Sequence, residues 1–254
     1  MKTKAAWFVA MWLMPLPLVA QTSDVITMDQ EPHHHLALHN DYVKVFNVEV
    51  APGDSIVLHR HDQDTIAIAI GEQMVTVGIP GKPDVHQKNA DAQVRLQRGG
   101  YMHSTHVDGD TPYHTVAVEL MRPQTNFHNV CAEILPGQPL NCQGDNPFWT
   151  SDGHNIVYSS LPLLESDQTH VRIVQVPPHQ PIYLTDIPST RDASRVIIAL
   201  DSVMFTSGSS KKSEETLQPG DFKWFNVGQP AKGTFQSSGE KDARLIDIIF
   251  RAPH

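Results

Sequence analysis

Two segments of the chain repeat one another, and this repeat restricts the fold more than any other feature of the sequence. In "YVKVFNVEV", from Tyr42, Val43 and Val45 alternate before the apolar phase steps by one residue to Phe46 and Val48. In "HVRIVQV", from His170, Val171 and Ile173 step to Val174 and Val176 in the same way. A shared phase step is harder to obtain by chance than shared alternation, and it predicts a β-bulge in each strand. A second match, "LQRGGYMH" from Leu96 against "LQPGDFKW" from Leu217, extends the correspondence. The chain therefore reads as two copies of one unit, residues 21–122 and 166–254, joined by a connector over 123–165.

Each unit reads as a series of short strands. Apolar residues alternate over four to eight positions between turn clusters such as "APGD", "GIPGKP" and "DGDTP", and no long capped helix is evident. Many short strands with such turns predict an all-β fold of sandwich or barrel type, and two copies predict two barrels.

The first twenty residues differ from the rest. Lys2 and Lys4 precede an apolar run from Ala5 to Val19 that is broken by Pro15 and Pro17 and ends at Ala20 before "QTSD". The run is too short and too proline-broken for a membrane span. It predicts a signal peptide over 1–20, an exported (periplasmic or secreted) protein, and no stable membrane anchor. Removing Lys2 and Lys4 takes the 19 basic residues to 17 against 28 acidic ones, and the formal charge from −9 to −11. Such a surface repels phosphate backbones, so nucleic acid is not an expected partner. The two cysteines, Cys131 and Cys142, bracket "AEILPGQPLN" in the connector. In an exported chain such a pair is best read as a disulfide, which would contribute about 3 kcal/mol in the chain-entropy model. Two thiolates on a metal would call for the shorter spacing that zinc sites use.

The chemistry concentrates in "LHRHDQDTIAIAIG", from Leu58 to Gly71. Period-two alternation places His59 and His61 on one face, and Asp64 on the face shared by Ile66, Ile68 and Ile70. If the isoleucines point into a barrel, Asp64 does too, and a buried carboxylate needs a partner. Neutral imidazoles are poor partners for it, whereas a divalent cation would satisfy His59, His61 and Asp64 together. The alternatives are hydrogen-bonded core or surface histidines and a turn aspartate. "HHH" at His33 to His35 reads as surface histidines, and His106, on the opposite register from His103, is expected to face out.

Around these residues the sequence resembles the cupin superfamily. Gly53, His59, His61, Asp64 and Gly71 follow the order of its first motif, with Asp64 in place of glutamate and a shortened middle gap. "RGGYMHSTHV" meets the second motif at Gly100 and His103, with Arg98 in place of proline and Val107 in place of asparagine. The resemblance spans most of the chain as a bicupin. It implies two jelly-roll β-barrels, with one divalent transition metal (Fe, Mn, Zn, Ni or Cu) held in the first by His59, His61, Asp64 and His103. In the second copy, aligned through the repeat, His103 falls on Trp224 and the histidine pair falls near Leu184 to Asp186, so no metal is expected there.

Three imidazoles and a carboxylate would leave an octahedral metal one or two open positions. The resemblance then implies a metal-dependent enzyme, an oxygenase or an isomerase, acting on a small organic molecule, with Tyr101 and His114 as candidates for a supporting or proton-moving role. The fold also hosts storage proteins and sensors, so a non-catalytic small-molecule-binding protein with a structural metal is the alternative reading. A homodimer is compatible with either.

Overall fold

The computed structural model describes residues 25–129, 160–183, 193–208, 213–227 and 233–251. The first unit carries β1 (Ile26–Thr27), β2 (His34–His39), β3 (Val43–Val50), β4 (Ser55–Arg60), β5 (Thr65–Ala69), β6 (Gln73–Gly78), β7 (Val85–Asn89), β8 (Val94–Gln97), β9 (Met102–Val107) and β10 (Tyr113–Leu120). The second carries β11 (His128–Asn129), β12 (Ser160–Glu165), β13 (Thr169–Val176), β14 (Ile182–Tyr183), β15 (Ala193–Ala199), β16 (Val203–Ser207), β17 (Ser213–Leu217), β18 (Phe222–Phe225), β19 (Gly233–Ser237) and β20 (Ala243–Arg251). A single 3-10 turn, Met28–Gln30, is the only helical element among the described residues.

Apart from the first strand of each, which joins a different sheet, the two units have the same topology. In the first, the sheets run β1-β4-β9-β6-β7 and β2-β3-β10-β5-β8; in the second, β14-β19-β16-β17 and β11-β12-β13-β20-β15-β18. Strands β3 to β10 correspond one for one to β13 to β20. The ends of the segment read as a connector belong to the second unit, because β12 pairs with both β11 and β13. Cys131, Cys142 and the leader over 1–20 lie outside the described residues, as does the stretch from Leu184 to Asp186.

The phase step in the repeat has a different cause from the one expected. Neither β3 nor β13 is bulged where it pairs with β10 or β20; both ladders run without a register shift. The bulges lie on the neighbouring strands, between Leu36 and Leu38 and between Pro162 and Leu164. The step instead records burial on both faces. Val43 and Val45 pack in a core that also contains Val171 and Ile173, whereas Phe46 and Val48 face the inside of their own barrel. Val174 and Val176 do the same in the second barrel.

The core shared by the barrels takes Ile66, Ile68, Val116 and Val118 from the first and Val196, Ile198, Ile246 and Ile248 from the second. The two barrels are thus packed on one another within one chain, sheet against sheet. This corrects the expectation that Ile66, Ile68 and Ile70 point into the first barrel: they face the other unit, while Ala67 and Ala69 line a cavity inside. Small inward residues leave room in the first barrel. The second is filled by Ile197, Leu245, Phe205 and Phe235, the last two with ring centroids 4.9 Å apart.

The "LQ" match is corrected as well. "LQRGG" ends β8 and opens the turn into β9, but "LQPGD" ends β17 and opens the turn into β18, one connection earlier in its unit. What the two share is a tight turn needing a glycine at positive φ, +86° at Gly100 and +94° at Gly220, and such turn chemistry recurs at any hairpin. Trp224 therefore lies on the counterpart of β8, where it packs with Tyr42 and Phe250 at the barrel interface. The counterpart of His103's strand is β19.

The Gly220 turn is also a point of close approach between barrels. A Cβ there would fall 2.5 Å from Cε1 of His114. Gly220→Ala is expected to lower the unfolding free energy by at least about 1–2 kcal/mol from the left-handed backbone alone, with more from displacing the imidazole. Urea denaturation of the variant checks this.

Candidate metal centre

His59 stands near the end of β4 and is directly opposite His103 on β9. Its inward aim depends on an irregularity. Ile56 pairs with Thr105 and His59 with His103, so three steps on β4 match two on β9. The extra residue leaves both Val57 and Leu58 exposed and turns His59 to the same side as Ile56. Strict alternation would have sent it outward with Val57. His61 follows the strand, pinned by its N–H to the Tyr101 carbonyl (2.9 Å) and by its carbonyl to the Gly100 N–H (2.7 Å).

These folds bring His59, His61 and His103 together, all buried. Nε2 of His61 lies 3.2 Å from Nε2 of His59 and 3.0 Å from Nε2 of His103. Each Nδ1 is engaged on the other side: with the Val57 carbonyl (2.9 Å), the Thr65 hydroxyl (3.1 Å) and the Thr105 hydroxyl (3.3 Å). Since a carbonyl only accepts, His59 carries its proton on Nδ1 and presents a lone pair at Nε2. His61 can donate at most one Nε2 proton, so protons alone cannot satisfy both contacts at once. A cation satisfies all three nitrogens. Nitrogens about 2.1 Å from one ion are about 3.0 Å apart at right angles and about 3.4 Å apart in a tetrahedron, so the 3.0 and 3.2 Å separations from His61 are those of neighbouring ligands that would share one ion.

Burial is the main reason the cluster stays neutral. It holds His59 below the usual imidazole range, with the neighbouring His34 acting the same way and the Val57 and Glu31 contacts opposing. Burial and the adjoining imidazoles push His61 down to about 3 and His103 to about 2. Neutral imidazole is the form a metal needs. The same shifts set a pH dependence. The unfolded chain takes up protons below about pH 6.5 that the native chain refuses, so stability is full above that pH and falls as pH drops toward 3. Between pH 7 and 5 the metal-free protein is expected to lose about 2 kcal/mol for each of His61 and His103, measured as a drop in the urea midpoint that shrinks in His103→Gln.

Asp64 is not part of this group. Its Oδ1 accepts the Gly99 N–H at 2.9 Å and lies 3.2 Å from Nε of the exposed Arg98. The reason is register: Asp64 shares the face of Ile66 and Ile68, and that face looks away from the barrel interior. Thr65, one residue on, is the inward residue and touches His61.

Tyr101 lies beside the histidines, its ring centroid 4.9 Å from that of His103 and 6.1 Å from that of His61. His114 does not. Thr115 and Tyr113 face the cavity, and His114 between them points outward, its Nε2 2.9 Å from Asn47 Oδ1 and against the Gly220 turn. His106 is exposed, as its parity requires, and lies 2.9 Å from the Ser55 hydroxyl.

Sequence reasoning missed two residues beside the cluster. His34, read as a surface histidine, packs on His59 with ring centroids 4.7 Å apart. Its Nδ1 lies 2.7 Å from the buried Glu31 carboxylate. A glutamate three residues before a histidine was the available signal, but "HHH" obscured which of the three turns inward.

The cluster opens through His103 onto a cavity of about 220 Å³, lined by Ala67, Ala69, Val75, Tyr101, Thr105 and Tyr113 among others. In the second unit, β19 carries no histidine, and the corresponding interior is filled by phenylalanines.

No protein-family model matches the sequence, and no curated protein matches it. Solved structures do. A variant of salicylate 1,2-dioxygenase from Pseudoaminobacter salicylatoxidans, in complex with gentisate, superposes with a TM-score of 0.52 at 10% identity, over 83% of this chain and 69% of that one. Vicilin from tomato gives 0.51 at 11% identity, over 84% and 76%. Oxalate decarboxylase from Lactobacillus farciminis, in a formate complex, gives 0.50 at 11% identity, over 90% and 86%. At these identities the likeness is one of fold.

Proposed function

Because the chain has the cupin fold twice over, as two jelly-roll barrels, we propose that its first barrel is the chamber of a metal-dependent enzyme acting on a small organic molecule. The observation that carries this reading is the convergence of three Nε2 atoms, each imidazole held from behind, on the wall of a cavity. His59, His61 and His103 would hold the ion. Bound there, a divalent metal would supply Lewis acidity and open positions for substrate oxygen or dioxygen, which covers an oxygenase or an isomerase.

The protein's own groups set the rest. Val57, Thr65 and Thr105 fix the imidazole orientations from the far side. Burial raises the Tyr101 phenol above its ordinary range, with nearby Arg95 opposing, so it stays protonated and can donate a hydrogen bond to a substrate oxygen. Valines and alanines along the cavity exclude water from its apolar part. The second barrel, filled by its own side chains, supports the first through the shared core.

Three protein ligands beside a cavity favour turnover over a purely structural metal, since structural sites are closed by protein. The leader-like segment further supports an exported protein, which N-terminal sequencing beginning at Gln21 would bear out. Cobalt substitution tests the centre: the visible spectrum of the cobalt-loaded protein should change on adding azide. An unchanged spectrum would mean a closed, structural site and would end the enzymatic reading.

A further inference from the structure

Three buried polar atoms along the wall of the first barrel's cavity lack a hydrogen-bond partner: Nε of Arg95, Nε2 of Gln93 and Oδ1 of Asn89. They come from adjacent parts of the fold. Gln93 and Arg95 project inward from the start of β8, in the register of Ala67 on the facing strand, and Asn89 ends β7. Arg95 is unusual among the chain's inner arginines. Arg172 and Arg195 reach Asp247 at 2.7 and 3.4 Å, and Arg244 reaches Asp91 and Asp201 at 2.7 and 2.8 Å. No carboxylate among the described residues pairs with Arg95; its one hydrogen bond is from Nη2 to Gln93 Oε1 at 3.2 Å.

Arg95 is half-buried, with its Nε fully withdrawn from water, and a guanidinium placed so without a counter-ion is costly unless something else supplies the charge. Its planar fork suits a carboxylate. Gln93 Nε2 adds a second donor, while Asn89 Oδ1 is an acceptor and calls for a donor such as a hydroxyl. Val75, Val77 and Ile79 line the remainder with apolar surface. His103 and Tyr101 share the same cavity, so a molecule held by Arg95 lies in the chamber onto which the histidines open.

We propose that Arg95, with Gln93 and Asn89, forms a carboxylate-binding wall, and that the molecule taken up by the first barrel is a small organic acid bearing a hydroxyl group and an apolar part. This deepens the reading of the cavity as a substrate chamber and rests on it. The second barrel cannot do the same, because its corresponding interior is filled by Phe205 and Phe235.

Mandelate, a 2-hydroxy acid with an apolar ring, and its neutral amide, mandelamide, are suitable probes. Calorimetric titration of the purified full chain with its metal in place should show mandelate binding at least about tenfold tighter than mandelamide. Arg95→Gln should erase that preference while keeping its metal, and Arg95→Lys should restore part of it. The wild-type preference requires no variant and so does not depend on whether a substitution folds. Equal binding of acid and amide, no binding of mandelate, or an unchanged preference in Arg95→Gln would each overturn the proposal. Metal content read on the same samples separates the two ideas. A metal-free protein with an Arg95-dependent preference sinks the metal centre alone, and a metal-loaded protein without the preference sinks the anion wall alone.

Discussion

His61→Ala is expected to lose stoichiometric metal binding, because its Nε2 is the atom that lies within 3.0 and 3.2 Å of both other imidazoles. Removing it leaves His59 and His103 without their common neighbour. The loss of affinity should exceed the roughly 10–100-fold that removal of a supporting hydrogen-bond partner costs. Elemental analysis after dialysis against a weak chelator reads it directly. Asp64→Asn is the informative contrast. Its carboxylate serves the Gly99 turn and Arg98, so the variant should keep its metal and lose only about 1 kcal/mol of stability. A reversal, with Asp64→Asn emptied and His61→Ala still loaded, would remove the three-histidine centre.

The second large effect concerns the joint between the barrels. Ile68 is fully buried in a core drawn from both units. Ile68→Asp places a carboxylate there with no cation beside it, a penalty of several kcal/mol that rivals a typical total stability of about 5–15 kcal/mol. The variant should be unfolded or insoluble at 37 °C. The milder Ile68→Ala should cost about 2–5 kcal/mol. Since the core is common property, both barrels should feel that loss together. Fluorescence of Trp224, which sits at the joint, read in a Trp149→Phe background, and metal release from the first barrel should report the same shifted urea midpoint. Two separated transitions would mean that the barrels stand independently.

The strands and the doubling of the unit could be read from alternation and repetition, because both faces of a strand announce themselves through period two. What alternation does not say is which face looks inward. In "QVRLQ" the apolar Val94 and Leu96 face the neighbouring barrel, and the polar Gln93, Arg95 and Gln97 line the cavity. This inverts the usual rule, so Arg95 drew no attention in the sequence. Asp64 failed for the same reason: its face was assigned from its isoleucine neighbours, whose burial comes from outside the barrel. His59, His61 and His103 were legible through motif spacing. The orientation of His59, however, depends on an irregularity that the sequence of β4 does not reveal. Side-chain identity records burial, but not what does the burying.

The extra residue at Val57–Leu58 has a genetic corollary. A chain shortened by one amino acid there would match two steps on β4 to two on β9, so ordinary alternation would still aim His59 inward, opposite His103. The irregularity is thus a tolerance for length: a lineage that lost this codon would be expected to keep both its ladder and its ion.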